Sequence, residues 1–106
     1  MRSLVILKPG PNWLAGQPVS QQDRAVFRPH LIRMRALYDR GAVIFGGPTK
    51  AGFGGMAIME TATAAEASEL MREDPAVLAG LLTYEVTELD PYFDAFASRA
   101  WAPRSR

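Results

Sequence analysis

The chain has 106 residues, 12 basic and 11 acidic, for a formal charge of +1, with one histidine and no cysteine. This length holds one domain, residues 1–106, and 48% hydrophobic content is enough for a core. Balanced charge offers no general attraction to nucleic acid or to an anionic membrane, and the lack of cysteine excludes disulfides, thiolate nucleophiles and zinc knuckles.

Residues 3 to 8 read as a strand with apolar residues on both faces, ended by Pro9-Gly10-Pro11, which cannot continue a ladder. The apolar run Leu4 to Leu7 is too short for a signal peptide or a membrane span, so the expected location is the cytoplasm, with no membrane partner. A loop then runs to about residue 20 through Asn12, Trp13, Gly16 and Pro18. It is long for so small a domain, which makes it a candidate for function.

From Ser20 to Arg40 the spacing of Phe27, Leu31, Met34 and Tyr38 predicts an amphipathic helix packing on that stripe, with Gly41 as its stop. Pro29 leaves two options: a helix proper that starts near Arg28, or an earlier one kinked at the proline. In both, His30 lies beside the stripe, near the edge of the helix–sheet contact. Ala42 to Pro48 and Phe53 to Glu60 read as two strands of a hairpin. The glycine cluster between them lacks the Gly-Lys-Ser/Thr ending of a phosphate loop, but Gly54 and Gly55 permit a close backbone approach. Trp13, Phe45, Gly47 and Pro48 are the candidate walls of a ligand pocket.

A second helix starts at Thr63, which with Glu66 forms a capping box, and ends at Asp74-Pro75. The last strand is Leu82 to Thr87, with Tyr84 and Val86 on one face. The tail from Asp90, with Pro91, Phe93, Phe96 and Trp101, carries enough aromatics to pack on something, and Arg99, Arg104 and Arg106 give it a basic end.

The order β-α-β-β-α-β predicts an α+β, ferredoxin-like fold: a four-stranded antiparallel sheet with both helices on one face. The strands around Val5, Ile44 and Met56 are apolar on both sides, so the uncovered face calls for a second sheet, most simply from an identical chain in a homodimer.

An unperturbed imidazole titrates at about pH 6.5, so His30 is the residue that a proton-transfer enzyme built from this chain would use. Asp74 at the end of its helix faces the negative end of the macrodipole, a placement that calls for a partner or a purpose. It either caps the turn before Pro75 or orients His30, and spacing alone does not pair residues this far apart. A single histidine with scattered carboxylates argues against a metal.

The run His30-Leu31, Leu37, Gly41, Gly46-Gly47-Pro48, Ala67, Asp74-Pro75, Gly80-Leu81 and Tyr84-Glu85-Val86 resembles the YCII-related (YciI-like) family over about residues 3 to 90. The resemblance implies a dimeric α+β barrel with a pocket in each subunit containing His30 and Asp74 as general acid–base residues, and no cofactor. One branch of that family is a dehydrochlorinase acting on a chlorinated hydroxyquinol. The expected function is a cofactor-independent lyase or isomerase acting on a small cyclic or aromatic molecule. The alternative is a non-enzymatic dimeric module that binds a small ligand or a partner in the same pocket. An oxygen-using monooxygenase fits the fold, but no residue pattern selects it.

Overall fold

A computed structural model describes residues 1–96. Strand β1 (Arg2–Pro9) buries Ser3, Val5 and Leu7 and leaves Leu4 and Ile6 half-buried, the two-residue alternation of a strand covered on one side. A single 3₁₀ turn at Val19–Gln21 precedes helix α1 (Arg24–Asp39). The helix starts later than its apolar pattern suggests, because Gln22 is extended and its side chain is spent on the loop, bonding Leu14 and Gln17. Asp23 is the cap, accepting from the Ala25 N–H at 2.9 Å. Of the two options for Pro29, the helix running through the proline is the one found; the missing N–H leaves the Ala25 carbonyl without its usual helical donor.

Strands β2 (Val43–Pro48) and β3 (Gly55–Glu60) form an antiparallel hairpin with a bulge between Val43 and Phe45. Helix α2 (Ala64–Arg72) is capped by Thr63, whose hydroxyl accepts from the Glu66 N–H at 3.1 Å. A four-residue helix α3 (Pro75–Leu78) leads to β4 (Leu82–Glu88). The sheet order is β2-β3-β1-β4, all antiparallel, the order of a ferredoxin-like fold.

The larger core joins Val5, Ala57 and Met59 of the sheet to Leu37 of α1 and to Ala67 and Met71 of α2. A smaller one gathers Trp13, Ala76, Leu81 and Leu82. The expected packing stripe of α1 requires correction. Its buried residues are His30 and Leu37, whereas Leu31 is 53% and Tyr38 54% exposed. Phe27 and Met34 pack partly on the cores, while the glycines of the facing strands leave Leu31 and Tyr38 uncovered.

The opposite sheet face carries Leu4, Ile6, Met56 and Ile58 side by side in register, each half-buried, with the exposed Phe45 next to Ile58. Among the described residues, the tail touches this face through Phe96, whose ring lies 6.0 Å from that of Phe45, and through Asp94, paired with Arg2 at 2.5 Å. Tyr92 and Phe93 are exposed. Trp101 and the three tail arginines lie outside the described residues. At the same edge, the Met1 ammonium and then Arg2 hold the Glu60 carboxyl below the usual carboxylate range.

Gly54 has φ +129°, and a Cβ there would stand 2.4 Å from the Leu7 carbonyl oxygen. Gly54→Ala is expected to destabilise the fold by about 1–3 kcal/mol from backbone strain alone, read as a lower urea midpoint. An unchanged midpoint would show that the β3–β1 contact is looser than these distances imply.

Candidate active site

His30 lies in the second turn of α1, next to Pro29, and its side chain is 6% exposed. Asp74 leaves no surface exposed at all. Its carboxylate Oδ2 accepts from the His30 Nδ1–H at 2.7 Å and from the Ala76 N–H at 3.0 Å. The expectation that Asp74 sits at an unfavourable helix end is corrected here. Pro75 starts a new helix at once, so Asp74 is the N-cap of α3 and faces the positive end of a dipole. Capping and pairing were alternatives on paper; one oxygen does both.

This arrangement fixes the tautomer. A carboxylate has no proton to give, so Nδ1 carries the hydrogen, and in the neutral ring Nε2 is the nitrogen with the lone pair. Nε2 has no protein partner among the described residues, and it is not among the fully buried unpartnered atoms. The Phe27 ring meets the imidazole edge-on at 5.1 Å, limiting its rotation. Asp74 Oδ1 is buried without a hydrogen bond, and Arg33 Nη1, equally unpartnered, lies 3.6 Å away.

His30 lines a cavity of about 430 Å³ between α1 and the β2–β3 end of the sheet. The helix contributes the stripe of Phe27, Leu31, Met34 and Tyr38, half-buried at Phe27 and Met34 and exposed at Leu31 and Tyr38. Opposite stand Gly46, Gly47 and Pro48 of β2 and Gly54 and Gly55 at the start of β3. The void follows from these glycines. A Cβ at Gly46 would lie 2.7 Å from the Met56 carbonyl oxygen, and one at Gly55 2.6 Å from that of Gly47. A Cβ at Gly47 would meet nothing within 4 Å. Where a β2 strand with side chains would fill the layer under α1, this one leaves it open.

Of the expected pocket residues, Trp13, Gly47 and Pro48 line this cavity together with His30, while Asp74 stands behind the imidazole. The long loop delivers Trp13, 8% exposed, with its indole N–H donating to the Gln17 carbonyl at 2.9 Å, and Asn12 ties the same loop to the Ala79 carbonyl at 2.8 Å. Phe45 does not belong with them. The bulge beside it turns its ring to the other sheet face. Sequence reasoning missed Arg33 and took the cavity wall of α1 for core. The usable signal was the pairing of an apolar stripe with strands holding Gly46-Gly47 and Gly54-Gly55.

Among the described residues, no group of three or more His, Asp or Glu side chains is placed to hold a metal ion, and no helix is long and apolar enough to cross a membrane. The family profile of the YCII-related domain matches residues 1–90. No curated protein matches at a significant level. Among solved structures, the chain is similar to 5-chloro-2-hydroxyhydroquinone dehydrochlorinase (TftG) from Burkholderia phenoliruptrix AC1100, in complex with 2,5-dihydroxybenzoquinone. Identity is 26%, covering 85% of this chain and 94% of that one, with a TM-score of 0.65.

Breaking the buried pair tests the geometry without reference to any substrate. Asp74→Ala removes the α3 cap, leaves the His30 Nδ1–H and the Ala76 N–H without their acceptor, and takes away the anion 3.6 Å from Arg33. A loss of about 3–5 kcal/mol is expected in urea unfolding. A loss below about 1 kcal/mol would mean that the carboxylate is not held as described.

Proposed function

The chain belongs to the YCII-related domain family, and on that premise we propose that it is a cofactor-independent lyase or isomerase acting on a small cyclic or aromatic hydroxyl compound. One observation carries the reading: His30 is held through Nδ1 by a fully buried carboxylate, its Nε2 has no protein partner among the described residues, and the residue lines an apolar cavity. That is the arrangement of a general base with its orienting acid. Nε2 takes a proton from a substrate O–H or C–H, and Asp74 stabilises the imidazolium. The proton then returns at another atom, giving an isomerase, or the released electron pair expels a leaving group, giving a lyase.

The cavity supports a substrate with a planar apolar body. Its walls are Trp13, Phe27, Leu31, Met34 and glycine backbone, which offer surface and few hydrogen bonds. The His30–Asp74 pair itself is buried, and there its bond is stronger than it is in water. The similar dehydrochlorinase holds a dihydroxybenzoquinone, a compound of this shape. A binding-only module would be favoured by a His–Asp pair sealed from any cavity, and the opening beside His30 weighs against it.

We read the working form as a homodimer. Leu4, Ile6, Met56, Ile58 and Phe45 form a contiguous apolar face that a monomer leaves in water, and a second sheet from the same chain buries it. Light scattering at micromolar concentration is expected to give twice the chain mass, and Ile58→Arg to lower it or cause aggregation. A monomeric parent protein would overturn the dimer.

For the chemistry, the parent protein is offered 5-chloro-2-hydroxyhydroquinone and chloride release is followed, with 2,5-dihydroxybenzoquinone binding measured by calorimetry. His30→Asn is expected to lower turnover at least about 10²-fold with an unchanged circular dichroism spectrum. Retained turnover in the variant would remove His30 as the base. Binding by the parent without turnover of this or related cyclic hydroxyl compounds would favour the module.

A further inference from the structure

We propose that Arg33 is a positioning residue that completes a three-part network with Asp74 and His30, supplying the counter-charge that the buried carboxylate needs so that His30 can stand as a neutral base. The inference concerns the same site as the proposed function and gives Arg33 its role there. The geometry beneath it stands whether or not the chemistry does.

Asp74 has no exposed surface, and a carboxylate so placed is costly unless both oxygens are compensated. Oδ2 is accounted for twice, by His30 and by the Ala76 N–H. Oδ1 has no hydrogen bond. The Arg33 side chain is 23% exposed, yet its Nη1 is buried and equally without one. These two orphans, of opposite charge, face each other at 3.6 Å, within ion-pair range and just beyond a hydrogen bond. A closure of a few tenths of an ångström makes a charge-assisted bond, and neither atom has another partner to satisfy it. Arg33 follows His30 by three residues on α1, so one helix face presents both side chains to one carboxylate.

The consequence is a matter of charge. With Arg33 and Asp74 balanced, a neutral His30 leaves the network at zero. When His30 takes a proton from substrate, its new positive charge is matched by the substrate anion just formed, so the ion pair sits inside the complex. Without Arg33, the buried carboxylate would recruit its own imidazolium, and the base would already be occupied. The other ionisable groups around His30 are Arg35 and Tyr38, both on α1 at the cavity wall. The β1 to β4 residues that line the cavity carry none, and the α2–α3 junction brings Asp74 alone to the ring.

The chain has one histidine, so its imidazole signals in an NMR spectrum need no assignment by elimination. The test compares the imidazole titration of the parent protein with those of Arg33→Met and Arg33→Lys. The expected result is a titration displaced to higher pH in Arg33→Met and restored toward the parent in Arg33→Lys, with amide dispersion unchanged. An Arg33→Met protein that titrates with the parent would overturn the proposal, because a purely packing role leaves the imidazole alone. Should Arg33→Met not fold, the parent decides. An Arg33 guanidinium with protons protected from water exchange supports the network, and one that exchanges and rotates freely refutes it. None of these readings requires a substrate, so the fate of Arg33 is separate from the loss of turnover expected on replacing His30.

Discussion

The Asp74 carboxylate is the point at which helix α1, the α2–α3 junction and the cavity meet. It caps α3 through Ala76, holds α1 through His30, and has no surface of its own. A charge so placed is tolerated only while every partner stays in position. The bond that orients the imidazole is therefore also a bond that seats one helix on another. Substitutions at this position act on fold and chemistry together, whereas changes at His30 leave the α3 cap intact.

The second constraint comes from what the sheet lacks. Gly46, Gly47, Gly54 and Gly55 bring the backbones of β2 and β3 into contacts that a Cβ at Gly46 or Gly55 would break, and over these glycines Leu31 and Tyr38 of α1 stay exposed. Phe27 and Met34 pack partly on the two cores, and Leu31 and Tyr38 are left for whatever enters the gap. Leu37 and Met34 on the core and the His30–Asp74 bond hold the helix to the rest of the molecule. The cavity is thus a consequence of composition at one hairpin and needs no flexible lid to exist.

Most of the architecture was legible from residues whose physics is local. Pro9-Gly10-Pro11 ends β1, Thr63 with Glu66 starts α2, and the alternation of β4 separates Tyr84 and Val86 from Thr83 and Glu85. The family resemblance rested on His30, Asp74-Pro75 and the glycines, and the YCII-related profile over residues 1–90 bears it out. Phe45 was misplaced because a one-residue bulge reverses which face a side chain takes, and nothing in Ile44-Phe45-Gly46 announces it. The α1 stripe was misread because periodicity reports that a face is apolar and is silent on whether protein or ligand covers it. Arg33 was invisible for a different reason. Its partner lies 41 positions along the chain, and only the fold brings Asp74 within reach.

The two hydrophobic clusters meet at the cavity. Leu7, Val43 and Ala57 reach it from the larger, Trp13 and Leu82 from the smaller. An apolar guest that touches both walls joins two bodies of core that the empty protein leaves apart, so binding and folding share contacts. Occupancy then raises the melting temperature by mass action, and closing the gap removes apolar surface from water, which gives association a negative heat-capacity change. At a fixed ligand concentration, the size of that thermal response reports how tightly a compound binds the seam. A ligand can thus be ranked by its fit to the cavity before any reaction is observed.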